Sequence, residues 1–102
     1  MVRIIKVTRA MAQQRLADAP SDKAFWCNDG SVFRSLYELR TGLGSMSDDT
    51  YRYHANESKN DFATWVRDVF GDDKLARDLQ KATARPEAAA RVADRIAWLE
   101  TR

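Results

Sequence analysis

Cysteine and histidine each occur once in this chain, as Cys27 and His54. A single cysteine excludes an internal disulfide and agrees with a reducing compartment. One residue of each type is also too few to assemble a zinc site of the usual Cys and His count within one chain. Long apolar runs are missing as well. No stretch nears the roughly 18 residues needed to span a bilayer, so a membrane is not an expected partner. The opening Met1-Val2-Arg3-Ile4-Ile5-Lys6-Val7 has charges breaking a run far too short for a signal-peptide core, and a cytoplasmic location is the expectation. Glycine is scarce, with 4 in the chain, and none sits in a phosphate-binding loop. Asn28-Asp29-Gly30 lacks the alternating ligands and terminal Glu of a calcium loop. No cofactor is expected, and there is neither a repeat nor a low-complexity tract.

What is present describes a small globular chain. Of 102 residues, 44% are hydrophobic and 31% charged, with a net charge of +2, which excludes a disordered composition and permits an acidic partner without demanding one. The most informative stretch is Asn60-Asp61-Phe62-Ala63-Thr64-Trp65-Val66-Arg67-Asp68-Val69-Phe70-Gly71. Its apolar residues Phe62, Trp65, Val66, Val69 and Phe70 fall on one helical face. Asn60 or Ser58 suits the N-cap, Asp61 the positive first turn, and Gly71 the C-terminal stop. So short a helix carrying three aromatic rings needs the rest of the chain to cover it.

In chain order, residues 2 to 7 read as a short strand or extended arm, and residues 9 to 18 as a weak helix. Pro20 and the Ser21-Asp22 pair interrupt it. This predicts an N-terminal arm at residues 1–22 and a helical domain at 23–102. Asn28-Asp29-Gly30 is a strong turn signal that opens two readings. Residues 24–31 form either a hairpin into Val32 or an extended lead-in to a helix. The spacing of Val32, Phe33, Leu36, Leu39 and Leu43 favours a helix from Val32, with Phe25 and Trp26 packed across the core. Ser47 with Asp48 and Asp49 predicts another helix start. Asp72 or Asp73 caps a segment with Leu75, Ala76, Leu79 and Ala82 inward. Arg85-Pro86-Glu87 opens the last helix, with Ala89, Val92, Ile96 and Leu99 inward. The expected fold is therefore all-α, a compact orthogonal bundle of five to six short helices behind a short extended N-terminal arm.

The motifs Phe25-Trp26-x-Asn28-Asp29-Gly30, Leu36-x-Glu38-Leu39, Met46-Ser47-Asp48-Asp49, Tyr51-x-Tyr53-His54 and Asn60-Asp61-Phe62-x-x-Trp65-Val66-x-Asp68-Val69-Phe70-Gly71-Asp72, with Leu75-Ala76, occur in that order. Together they resemble a family of small prokaryotic helical domains of unknown function, over about residues 24 to 99. The resemblance implies a helical accessory module and brings no catalytic or cofactor-binding residues with it.

Candidate sites are correspondingly few. A Cys27–His54 nucleophilic pair is formally available, but a lone cysteine in an apolar segment is more simply packing, and His54 near a helix end a satisfied polar group. Asp48, Asp49, Asp72 and Asp73 lie where helix starts want acids. Two surface features remain. Lys74, Arg77, Lys81 and Arg85 recur along one helix face, with Arg91, Arg95 and Arg102 further along the chain, and such a stripe can neutralise phosphates. The simpler reading is a solvated face, because Asp73, Asp78, Glu87 and Asp94 are interleaved. The second feature is aromatic surplus at Tyr37, Tyr53 and Trp98, rings of the kind that anchor protein contacts. The expectation is a non-enzymatic protein-interaction module touching partners through Ile4, Ile5, Tyr37 and Trp98, with self-association through the arm as one route. The alternative is a small nucleic-acid-binding protein using the basic face.

Overall fold

In the computed structural model, which describes residues 6–102, the chain runs through α1 (Arg9–Leu16), a 3-10 turn (Ser21–Lys23) and two strands, β1 (Phe25–Trp26) and β2 (Val32–Phe33). It continues through α2 (Leu36–Ser45), α3 (Asp48–His54), α4 (Asp61–Trp65), a π-helical turn (Val66–Phe70), α5 (Asp73–Lys81) and α6 (Arg85–Glu100). The structure is 65% helical, with six α-helices and one two-stranded sheet among the described residues. No helix among them is long and apolar enough to cross a membrane.

Local chemistry explains most helix starts. Thr8, Ser35, Ser47, Asn60 and Asp72 each offer a side-chain oxygen to the N–H three residues ahead, satisfying a donor the helix itself leaves unpaired. Helix α6 has no side-chain cap, but Pro86 in its first turn needs no N–H partner. Gly71 ends the central helix at φ 67°, a left-handed conformation that costs a β-carbon-bearing residue more.

The hairpin is the main departure from an all-α fold and from a helix beginning at Val32. Phe25 pairs with Phe33 and Trp26 with Val32 in antiparallel register. The turn is closed locally: the Cys27 N–H donates to Ser31 O at 2.8 Å, the Gly30 N–H to Cys27 O at 3.0 Å, and the Ser31 N–H to Asp29 Oδ1 at 2.8 Å. Gly30 takes φ 94°, which the turn requires. Ser35 then caps α2, and Glu38 reaches back to accept the Arg34 N–H at 2.7 Å. Turn chemistry and a late cap outcompete the apolar spacing that extended back to Val32. The alternation also reverses the expectation for Trp26. Phe25 points inward and Trp26 points out.

Phe25 is the hub of the core. Its ring centroid lies 5.9 Å from Phe33, 5.0 Å from Phe62, 5.8 Å from Trp65 and 5.0 Å from His54. Phe62, Trp65 and Val66 are buried as their spacing predicts, and the Trp65 indole N–H donates to Lys23 O at 2.8 Å. Val69 and Phe70 are only half-buried. The π turn is the reason, since one extra residue in a turn swings the later side chains by about 100° off the stripe. Leu36, Leu39 and Leu43 of α2 face Val92, Ile96 and Leu99 of α6 in the principal helix pair. These two helices run antiparallel: the Tyr37 hydroxyl donates to Glu100 at 3.0 Å at one end, and Arg85 donates to Leu43 O and Gly44 O at the other.

Helix α1 packs on α6 and α2, and its Ala12 lies in the same core as the rest of the chain. Ala19 and Arg34 exchange two hydrogen bonds, from the Ala19 N–H to Arg34 O at 2.6 Å and from the Arg34 guanidinium to Ala19 O at 3.0 Å. The Pro20 connection is thus held against the hairpin.

Candidate functional site

A cleft of about 790 Å³ opens where α1, α5 and α6 meet, and Asp72 forms its floor. Gly71 turns the chain sharply enough to aim Asp72 back into the protein, where its side chain is fully buried. One carboxylate oxygen accepts the Leu75 N–H at 3.1 Å, capping α5. The same carboxylate takes two hydrogen bonds from Arg95, Nε at 2.8 Å and Nη2 at 3.1 Å. A second guanidinium, from Arg15 on α1, stands 3.8 Å from Asp72 and donates to Gly71 O at 3.2 Å. The side chains of Arg15 and Arg95 are 12% and 8% exposed. Two cations therefore share one buried anion, leaving a net positive floor.

By residue type Arg95 reads as a surface cation. Its position relative to Val92, Ile96 and Leu99 places it on the buried stripe instead, and that i, i+3, i+4, i+7 relation was the available signal. The walls of the cleft carry Lys74, Arg77, Asp78, Arg91, Asp94 and Trp98. Trp98 is 38% exposed, with the Arg95 guanidinium 4.4 Å and that of Arg102 4.2 Å from its ring centroid, a cation–π arrangement.

The predicted basic stripe is divided by the fold. Lys74 and Arg77 line the cleft. Lys74 is paired with Asp78 at 2.6 Å, one turn along α5, whereas Arg77 has no ion-pair or hydrogen-bond partner among the described residues. Lys81 is exposed. Arg85 belongs to a different corner, where it pairs with Asp48 at 2.9 Å and covers the last carbonyls of α2. Of the expected protein contacts, Ile4 and Ile5 lie outside the described residues. Tyr37 is half-buried and spent on the Glu100 tether.

Tyr53 is exposed, as expected of a surplus ring, and the exposed aromatic that the structure adds is Trp26, 73% exposed. Trp26 stands directly across from Val32, 38% exposed, so the outer hairpin face is apolar. The signal was present as alternation around the Asn-Asp-Gly turn. Beneath this face, His54 joins the hairpin to the helices. The Asn28 N–H donates to His54 Nε2 at 2.9 Å. A backbone N–H can only donate, so Nε2 is the acceptor and the ring proton sits on Nδ1, which donates to Asp61 at 3.0 Å. Both ring nitrogens are engaged. Burial pushes the Cys27 thiol above its ordinary pKa, against partial opposition from backbone hydrogen bonds. A thiol whose ionisation burial opposes is a poor nucleophile, and His54 has no ring nitrogen left to serve it as a base.

Hairpin, helices and cleft together define a small, mostly helical domain with an exposed Trp26–Val32 face and a separate cleft lined by arginines and carboxylates. Comparison with protein-family models, curated proteins and solved structures finds no match to this chain.

Proposed function

We propose that the chain is a helical protein-binding module that uses the outer face of the β1–β2 hairpin. The observation carrying this reading is Trp26, 73% exposed and paired with Val32 on a two-stranded ribbon. A lone exposed ring is ordinary, but this one stands on a turn closed by three local hydrogen bonds and anchored beneath by His54. Rigid aromatic side chains lose little freedom on binding, and for that reason they dominate many protein interfaces. The six helices are the scaffold, which we read as an orthogonal bundle packed around the antiparallel pair α2–α6.

The test is capture of partners from host extract by wild-type protein and by Trp26→Ser, each with and without nuclease. One stoichiometric protein, retained after nuclease and reduced at least about tenfold by Trp26→Ser, is the expected result. The variant's thermal midpoint should stay near that of wild type, since its ring supports no core. Recovery indifferent to Trp26→Ser removes the hairpin face from consideration. Loss of all material after nuclease transfers the function to nucleic-acid binding through Arg77 and Lys81.

A further inference from the structure

We propose that the cleft between α1, α5 and α6 binds a small phosphorylated ligand, with Arg77 and Arg91 gripping the phosphate above the Arg15–Asp72–Arg95 floor. This site is separate from the hairpin face and stands or falls independently of it.

The first support is the charge of the floor. Asp72 carries one negative charge between two guanidiniums that are nearly out of water. Desolvated charge without full compensation is unfavourable, and an incoming anion relieves it. The second is the pair of unengaged arginines. Arg77 on α5 and Arg91 on α6 both line the cleft, and neither makes a hydrogen bond or ion pair among the described residues. Guanidinium forks match the oxygens of phosphate, and two of them on opposing helices suit a doubly charged group better than a single carboxylate. The third is size: about 790 Å³ is within the usual range for small-molecule sites.

The acidic residues decide between a small ligand and a polymer. Asp78 is neutralised by Lys74, but Asp73 and Asp94 are at the cleft without a cation of their own among the described residues. They repel a long polyanion laid across the opening, whereas one phosphate group can seat between Arg77 and Arg91. Trp98 supplies an apolar wall for whatever the phosphate is attached to. Among the described residues the Arg102 guanidinium over that ring is otherwise hydrogen-bonded only to its neighbour Thr101, so it can yield its place.

The experiment is a proton–nitrogen NMR titration with inorganic phosphate and with ribose 5-phosphate. The Trp98 indole N–H is the reporter, identified by its loss in Trp98→Phe. Both probes should shift it saturably, while sodium chloride at matched ionic strength should not. The double variant Arg77→Gln/Arg91→Gln should weaken binding by about tenfold or more, and Arg77→Lys/Arg91→Lys should restore part of it. Among the described residues these side chains hold no structural bonds, so the rest of each variant's spectrum should be unchanged. Absence of a saturable shift overturns the proposal, and so does equal affinity in wild type and the Gln variant. Binding of a single-stranded oligonucleotide with steep salt dependence, while both phosphate probes leave Trp98 unmoved, also overturns it in favour of nucleic acid.

Discussion

Asp72 links three helices through two oxygens, which makes it the residue whose loss should be felt most widely. Asp72→Ala removes the α5 cap and leaves Arg15 and Arg95 facing one another without an anion. Breaking a buried pair costs about 3–5 kcal/mol, and Arg95→Ala should cost less than Asp72→Ala because Arg15 remains near the carboxylate. Urea denaturation of both variants checks that order. Trp65→Ala should lose about 3–5 kcal/mol, since it empties a buried site beside Phe25 and strands the Lys23 carbonyl. A loss below about 1 kcal/mol would contradict the central role given to that helix. Asp61 sets a pH dependence. Burial works to raise its carboxyl, but hydrogen bonds from His54 and Lys59 outweigh this and hold it below the ordinary 3.8. A carboxyl lowered by folding adds stability above its unfolded pKa, and the gain disappears as pH falls through the folded one. The thermal midpoint of wild type should therefore fall more steeply than that of Asp61→Asn as the pH drops below 3.8.

Among the elements, the hairpin is held from outside by the packing of Phe25 and by two further contacts. One is His54, whose Nε2 receives the Asn28 N–H. His54→Ala should free that amide, and hydrogen exchange at Asn28 should accelerate well beyond any change at Leu39 in the neighbouring helix. The other is Gly42 of α2, where an added β-carbon would run into the Phe33 ring. Gly42→Ala, an improvement by helix propensity alone, should instead destabilise by about 1–3 kcal/mol through forced displacement of that ring. Thermal unfolding distinguishes the two signs.

For the molecule as a whole, the question is whether α1 is an appendage or part of the structure. Ala12 and Ala19 lie in the common core, and Arg15 completes the floor of the basic cleft. Removal of residues 1–17 should lower the thermal midpoint of the remainder and abolish phosphate binding together. An independent arm would leave both unchanged.

The amino-acid order by itself determined the elements whose cause is local. Asn60, Ser47 and Asp72 mark their helix starts, Gly71 its stop, and the spacing of Phe62, Trp65 and Val66 the buried face. Those signals act over a few residues and so can be read in a few residues. The tertiary structure alone decided which of two locally plausible forms residues 24–31 take, because the hairpin is held by His54, Gly42, Phe62 and Trp65 from distant helices. It also decided the fate of the cations. Lys74, Arg77, Lys81 and Arg85 look alike along a helix, but their roles depend on whether Asp78, Asp48 or an open cleft lies opposite. Electrostatic partners 23 to 57 residues away, as Asp72 is from Arg95 and Arg15, leave no periodicity to find.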